Sequence, residues 1–148
     1  GILWILLAAV LIAIPKTRKS GVIVMVALVF DVILCNGILK NLVGRIRPCD
    51  INTAVQLLVP RPTDFSFPSG HTAASFTAVT ALYCAGEKKL WKISLVLAVL
   101  IAFSRLYLYV HYPTDILGGI LVGLLCGYIG SVAGKYLYKT AEKKLANR

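Results

Sequence analysis

Acidic side chains are scarce in this sequence. Of its 148 residues only 6 are Asp or Glu, against 16 Lys or Arg, and charged residues make up 15% of the chain. Soluble domains carry about 25%, so this chain is poorly equipped to cover an aqueous surface. Nowhere do carboxylates cluster as a Mg²⁺ or two-metal site would require. The 4 cysteines, Cys35, Cys49, Cys84 and Cys126, form no CxxC pair and no Cys/His group with zinc spacing. Only Cys49 falls clearly in a loop, and the others read as free thiols inside apolar helices. Neither a metal nor an organic cofactor is expected. The formal net charge of +10 is no nucleic-acid footprint, because no stretch interleaves basic with aromatic residues on a polar surface. Nucleic acid is therefore not an expected partner. Internal repeats and low-complexity segments are absent too.

What the chain has instead is long apolar runs. Hydrophobic residues reach 58%, and the mean hydropathy is +0.80. Helical-length runs of this kind belong in lipid, where a helix satisfies its own backbone polar groups. The reading is an all-α, polytopic transmembrane bundle forming a single domain over residues 1–148. Five spans are visible, at residues 2–14, 21–39, 68–86, 90–103 and 113–138. The first is short of the ~20 residues a span needs. The chain also opens on Gly1 rather than Met, so a segment upstream of Gly1 is expected. The third span is rich in small residues from Ala73 to Ala81, which lets helices approach closely and marks it as central. In the fifth, Gly118, Gly119, Gly123, Gly127, Gly130 and Gly134 outline a close-packing face, although glycine is also ordinary in membrane helices. The basic tail from Lys139 is expected to fray at the membrane surface. Asp31 lies mid-span, where a charge is costly. On an α-helix it stands about half a turn out of phase with Lys40 and ~13 Å deeper, which predicts a structural role apart from any site at Lys40.

The positive charges sort by side. Lys16, Arg18, Lys19, Lys88, Lys89, Lys92 and the tail lysines fall at one end of the spans. Lys40, Arg45, Arg47, Arg61 and Arg105 fall at the other. The first set is larger and has no evident chemical task, so the positive-inside rule makes it cytoplasmic. A multi-pass cell-membrane protein with its functional groups on the extracytoplasmic side is expected. The connection over residues 41–67 is long for a loop, which suggests function. Within it, residues 55–59 are apolar enough to lie on the membrane surface.

Three stretches end on that outer side. They are Lys40 with Arg47-Pro48; Pro68-Ser69-Gly70-His71; and Ser104-Arg105 through His111 to Asp115. Pro113 suits the first turn of a helix. That turn would carry Asp115, able to reach back to the ring of His111. Alone, the pair can be an ordinary hydrogen-bonded contact. Beside the other stretches it reads as an oriented imidazole with one nitrogen left as base or nucleophile. Ser69 and Gly70 open a helix whose N–H groups and dipole suit an anion. Gly70 also lets a bound group approach the backbone. Phosphoryl transfer needs a nucleophile, a proton for the leaving oxygen, and positive charge on the equatorial oxygens. His111, oriented by Asp115, fits the first need and His71 the second. Lys40, Arg47, Ser69, Gly70 and Arg105 fit the third. Arg45 and Arg61 read as solvated or headgroup-binding charges that could hold a second phosphate.

These stretches resemble the type 2 phosphatidic acid phosphatase superfamily. Its pattern is Lys, six residues, Arg-Pro; then Pro-Ser-Gly-His; then Ser-Arg, five residues, His, three residues, Asp. All three parts are matched in order, without a substitution, over roughly residues 40–115. The resemblance implies an integral membrane lipid phosphatase built as a six-helix bundle. It implies a phosphohistidine intermediate on His111, His71 as general acid, and no metal. One helix of the six would lie upstream of Gly1 or be absent. Undecaprenyl diphosphate is the expected substrate, with phosphatidic acid and phosphatidylglycerol phosphate as alternatives. The motifs do not separate these lipids, since each presents the same phosphate to the same clamp. The partners implied are a lipid phosphate and membrane lipids, and nothing indicates an oligomeric state. A reading of another class is a non-enzymatic phosphate- or lipid-binding protein or a transporter, since transporters also hold anions at helix starts. A binder needs the cations, however, and has no use for two histidines and an orienting aspartate.

Overall fold

The computed structural model describes residues 1–146, and among them every regular element is helical. In chain order these are α1 (Ile2–Ala13), α2 (Arg18–Asp31), a π-helical stretch (Val32–Leu39), α3 (Lys40–Val43), α4 (Pro48–Ile51), α5 (Gly70–Ala85), α6 (Leu90–Tyr107) and α7 (Pro113–Ala146). The backbone stays right-handed helical through Val32 and Lys40, so α2, the π stretch and α3 form one rod. Gly44, at φ 60°, ends it in the left-handed conformation that glycine adopts without strain.

Three segments are long and apolar enough to cross a membrane: Arg18–Ile51, Leu90–Tyr107 and Pro113–Ala146. α1 and α5 are shorter. Large apolar side chains stand exposed along the long helices, among them Leu100 and Phe103 on α6 and Leu121 and Val132 on α7. In water such a surface is an association liability. Against lipid tails, as apolar as leucine, it is a natural outer face. The chain is a multi-pass membrane protein. Several boundaries differ from the sequence reading, and α6 runs on to Tyr107 rather than ending at residue 103. The second helix begins at Arg18 and runs to Val43. α7 continues past Lys139 to Ala146, because Ala, Glu, Lys and Leu in that tail are strong helix formers.

α5 is the central helix, as its small residues suggested. On one face Ala74, Ala78, Ala81 and Leu82 pack on Trp4, Ala8 and Leu11 of α1 and on Ile23, Val24, Ala27 and Leu28 of α2. On another, Phe76 and Val79 meet Ala98 and Ala102 of α6 and Ile116 of α7. The glycines of α7 let it lie backbone to backbone on its neighbours. A Cβ added at Gly119 would sit 2.8 Å from the Ser69 carbonyl oxygen, and one at Gly130 would sit 2.3 Å from Ala27 Cα. The Gly119 contact fixes the start of α5 against the first turns of α7, and there the site is built. At the far end, Ser20 donates to Glu87 at 2.6 Å, so the basic turns around Lys19 and Lys88 share the end opposite His71.

Asp31 does not line the cavity that holds both histidines, but the π stretch changes its phase relative to Lys40. The i→i+5 bonds of this stretch, such as Lys40 N–H to Cys35 O, take in more residues per turn than an α-helix. Eight residues wound this way lag the α course by roughly a third of a turn. Asp31 and Lys40, half a turn apart by α-helical counting, therefore border one cavity of about 170 Å³, together with Asn36, Gly70 and His71. Asp31 is 1% exposed, and its Oδ1 has no hydrogen-bond partner.

Candidate active site

The site is assembled from helix ends. The rod delivers Lys40 in its last turns, and Arg47 stands just before α4, with Pro48 in the first turn. Gly70 and His71 open α5, Arg105 closes α6, and Asp115 lies in the first turn of α7. A cavity of about 90 Å³ is lined by Lys40, Arg47, Asp64, Gly70, His71, Arg105 and His111, with Pro62 and Val110. Six of the eight residues singled out from the sequence thus meet around one space. Ser69 and Asp115 lie fully buried and do not line it.

His111 Nε2 lies 3.1 Å from Arg47 Nη1, and its Nδ1 lies 3.4 Å from Asp115 Oδ2. A guanidinium only donates. Arg47 therefore places its N–H on Nε2, which must carry the lone pair. The ring proton is left on Nδ1, facing Asp115. That second contact is longer than the usual ~2.7–3.2 Å. Burial lowers the His111 pKa below its ordinary value. The bond to Asp115 opposes the fall, while the charges of Arg47 and Lys40 add to it. This shift favours the neutral ring, the form that a nucleophile would need.

Asp115 is held by more groups than the sequence indicated. Ser66 Oγ donates to Oδ2 at 2.5 Å, the Tyr112 N–H donates to the same oxygen at 2.9 Å, and Arg45 Nη1 donates to Oδ1 at 2.9 Å. Arg45 also donates to Thr114 Oγ1 at 2.6 Å and lies 4.0 Å above the Tyr112 ring. This corrects its reading as a solvated charge: Arg45 is the counter-ion of Asp115. Arg61 is likewise engaged, donating to the Cys49 carbonyl and to Asp50, each at 2.8 Å. Cys49 itself is buried in α4 rather than lying in an open loop.

The phosphate-clamp candidates differ in how they are arranged. Ser69 donates its N–H to the Asp115 carbonyl at 3.0 Å, and its hydroxyl accepts from Thr72 Oγ1 at 3.0 Å. Its backbone donor ties α5 to α7, and the first intrahelical bond runs from Ala73 N–H to the Ser69 carbonyl at 2.9 Å, so the N–H groups of Gly70, His71 and Thr72 are left without an intrahelical partner. A Cβ on Gly70 would come within 3.1 Å of Asn36 Oδ1 and 3.8 Å of Lys40 Nζ, so glycine there keeps the rod close. Arg105 is steadied by Ser104 Oγ, 3.1 Å from both Nε and Nη2. Asp64, unremarked in the sequence, binds both Lys40 and Arg47. Burial alone would raise its carboxyl pKa, but the bonds and charges of Lys40 and then Arg47 outweigh this and hold it below the usual carboxylate range. The signal for Asp64 was its rarity: an acid in a long loop of a chain that has few. Ser66 carried no signal beyond standing two residues before Pro68.

Comparison with known proteins bears on the family and the fold. The sequence model of the PAP2 superfamily matches residues 20–139. An undecaprenyl-diphosphatase of Sulfolobus acidocaldarius is 34% identical over 120 residues, covering 81% of this chain and 58% of the relative. The chain spans about half the length of several other curated relatives. Among solved structures, Aquifex aeolicus LpxE superposes with a TM-score of 0.74 at 34% identity, covering 88% of this chain and 76% of that one. A PAP2-type phosphatidylglycerolphosphate phosphatase from Bacillus subtilis gives a TM-score of 0.67 at 30% identity, covering 90% and 68%.

Proposed function

Because the chain belongs to the PAP2 superfamily, we propose that it is a membrane lipid phosphatase that hydrolyses a phosphomonoester or diphosphate through His111. The observation that carries this reading is the pair of histidines on one cavity with three cations, His111 presenting its Nε2 lone pair. In the first step Nε2 bonds to phosphorus and the bond to the leaving oxygen breaks. His71 gives that oxygen its proton. A phosphate beside His71 favours the imidazolium needed for this. In the second step water attacks phosphorus, His71 takes the water proton, and the P–N bond breaks. Lys40, Arg47, Arg105 and the N–H groups of Gly70 and His71 hold the equatorial oxygens. As phosphate enters, the Arg47 N–H turns from Nε2 to a phosphate oxygen and frees the lone pair.

Undecaprenyl diphosphate is our first candidate substrate, resting on the name of the Sulfolobus relative. An anchor for a second phosphate does not support it, since Arg45 and Arg61 are both engaged. The apolar stretch at residues 55–59, with Leu58 75% exposed, offers a surface for a lipid tail. We place the site on the extracytoplasmic side from the charge asymmetry. A cysteine at Thr63 should then react with an impermeant thiol reagent in intact cells, and one at Lys88 should not. The function is tested by phosphate release from a panel of polyprenyl diphosphate, phosphatidic acid and phosphatidylglycerol phosphate, run in EDTA. We expect turnover that EDTA does not abolish and vanadate does. No release from any lipid, with phosphate still bound, would leave a binding protein instead.

A further inference from the structure

Lys40 and Arg47 are the most deeply buried cations of the cavity, and a carboxylate lies between them. Asp64 Oδ1 accepts from Arg47 Nη2 at 2.6 Å, and Oδ2 accepts from Lys40 Nζ. The side chains of Lys40 and Arg47 are 8% and 4% exposed, whereas that of Asp64 is 52% exposed. Asp64 is thus the outermost of the three and screens both charges from solvent. Two oxygens shared between an ammonium and a guanidinium is also the arrangement that two phosphate oxygens would take there.

The backbone around Asp64 is pinned independently of its carboxylate. Arg47 Nε donates to the Asp64 carbonyl at 2.8 Å, Nη2 to the Phe65 carbonyl at 3.3 Å, and Nη1 to the Val110 carbonyl at 2.8 Å. The Ser66 N–H donates to the Arg45 carbonyl at 2.8 Å. Arg47 therefore keeps three carbonyl partners if the carboxylate leaves. The half-exposed Asp64 side chain can turn toward solvent about its own χ1 while the loop stays in place.

We propose that the Asp64 carboxylate is a built-in competitor for the phosphate site, displaced by a doubly charged phosphate and not by a singly charged phosphodiester. This rests on Lys40 and Arg47 being the phosphate clamp. A carboxylate carries one charge. A terminal phosphate carries about −1.5 to −2 near neutral pH and offers three oxygens. A phosphodiester carries one charge and two free oxygens, so exchanging Asp64 for it gains no charge interaction. A membrane enzyme is surrounded by phosphodiester headgroups. The carboxylate weakens every ligand of the clamp alike, and so sets a threshold that the doubly charged phosphate passes and the more weakly held headgroup does not.

The test uses the full chain in detergent and two probes, inorganic phosphate and dimethyl phosphate, with binding followed by ligand-detected ³¹P NMR. Asp64→Asn should tighten dimethyl phosphate by about tenfold or more, the effect of removing one unit charge a few ångströms away in a partly screened site. Inorganic phosphate should tighten by a similar factor or more, because both probes displace the same carboxylate. Asp64→Ser, which has no amide to take the place of the carboxylate, should behave the same. Weaker or unchanged binding of both probes in both variants would show that Asp64 merely holds Lys40 and Arg47, and would overturn the assignment. Hydrolysis of p-nitrophenyl phosphate by the unsubstituted protein is measured in parallel. Tighter binding without hydrolysis supports the competitor and removes the phosphatase reading. Hydrolysis without tighter binding removes the competitor alone.

Discussion

Arg47 Nη1 lies 3.1 Å from His111 Nε2 and donates to it. One contact thereby fixes the tautomer of the ring and occupies the lone pair that the proposed mechanism uses for attack. The account predicts that Arg47→Lys loses more than a charge. An ammonium can still attract phosphate, but it cannot hold Nε2 and a phosphate oxygen with the same planar fork. A fall in kcat of about 10²–10³-fold is expected, the size of losing one preorganised donor. Steady-state kinetics on a soluble phosphomonoester reads it. A variant with unchanged kcat and raised KM would make Arg47 a binding residue only.

The pH dependence follows from His111. Attack needs the neutral ring, and burial holds its pKa below the ordinary 6.5. Activity should therefore fall as pH drops through a value below 6.5, while any fall on the alkaline side reports loss of the His71 proton. Asp115 raises the pKa of His111 from that depressed position, so Asp115→Asn should move the acid limb further down while lowering the plateau. Comparing both proteins on one substrate cancels the ionisation of the substrate itself. An acid limb that moves upward in Asp115→Asn would contradict the assignment.

Arg45 gives a test of positioning against headgroup binding. It donates to Asp115 at 2.9 Å, a bond to a charged group of the kind worth ~1.5–3 kcal/mol. Arg45→Gln should lower kcat/KM about tenfold or more, since ~1.4 kcal/mol is a factor of ten. The loss should appear equally on a lipid and on p-nitrophenyl phosphate. A loss confined to the lipid would return Arg45 to the headgroup.

The sequence carried the parts of the site that sit at fixed spacing on helix ends. Lys40, Arg47, His71, Arg105 and His111 are such residues, and each lines the cavity. Pro113 and Asp115 were legible because proline marks a first helical turn. Small residues marked α5 as central for a similar local reason. The supporting groups were not legible, because their contacts cross large sequence distances. Ser66 meets Asp115 49 residues away, and Arg45 meets it 70 away. Asp64 reaches back 24 residues to Lys40. Asp31 stays outside the cavity that holds both histidines, as expected; only its approach to Lys40 was not legible, because counting at 3.6 residues per turn cannot anticipate a π-helical stretch between them.

Packing of α7 predicts a contrast between glycines. A Cβ at Gly130 would fall 2.3 Å from the backbone of Ala27, and one at Gly37 would meet nothing closer than 3.7 Å. Gly130→Ala should push α7 off α2 and destabilise the fold by roughly 1–3 kcal/mol, as overpacking does. Gly37→Ala should be neutral or slightly stabilising. Thermal unfolding in detergent separates them. Equal midpoints would mean that the two helices do not meet as closely as described.

The central claim is that phosphate passes through His111. His71→Ala should slow both steps, but transfer suffers less when the leaving group is nitrophenolate, which departs without a proton. With p-nitrophenyl phosphate this variant should accumulate phosphorylated protein, while His111→Ala should form none and turn over nothing. Rapid-quench labelling of the His71→Ala protein is the most direct measurement. The account predicts an acid-labile, base-stable adduct, as a phosphoramidate is, mapping to His111. Label on a serine such as Ser69, or inversion at a chiral phosphorus in place of the retention that two displacements give, would contradict it.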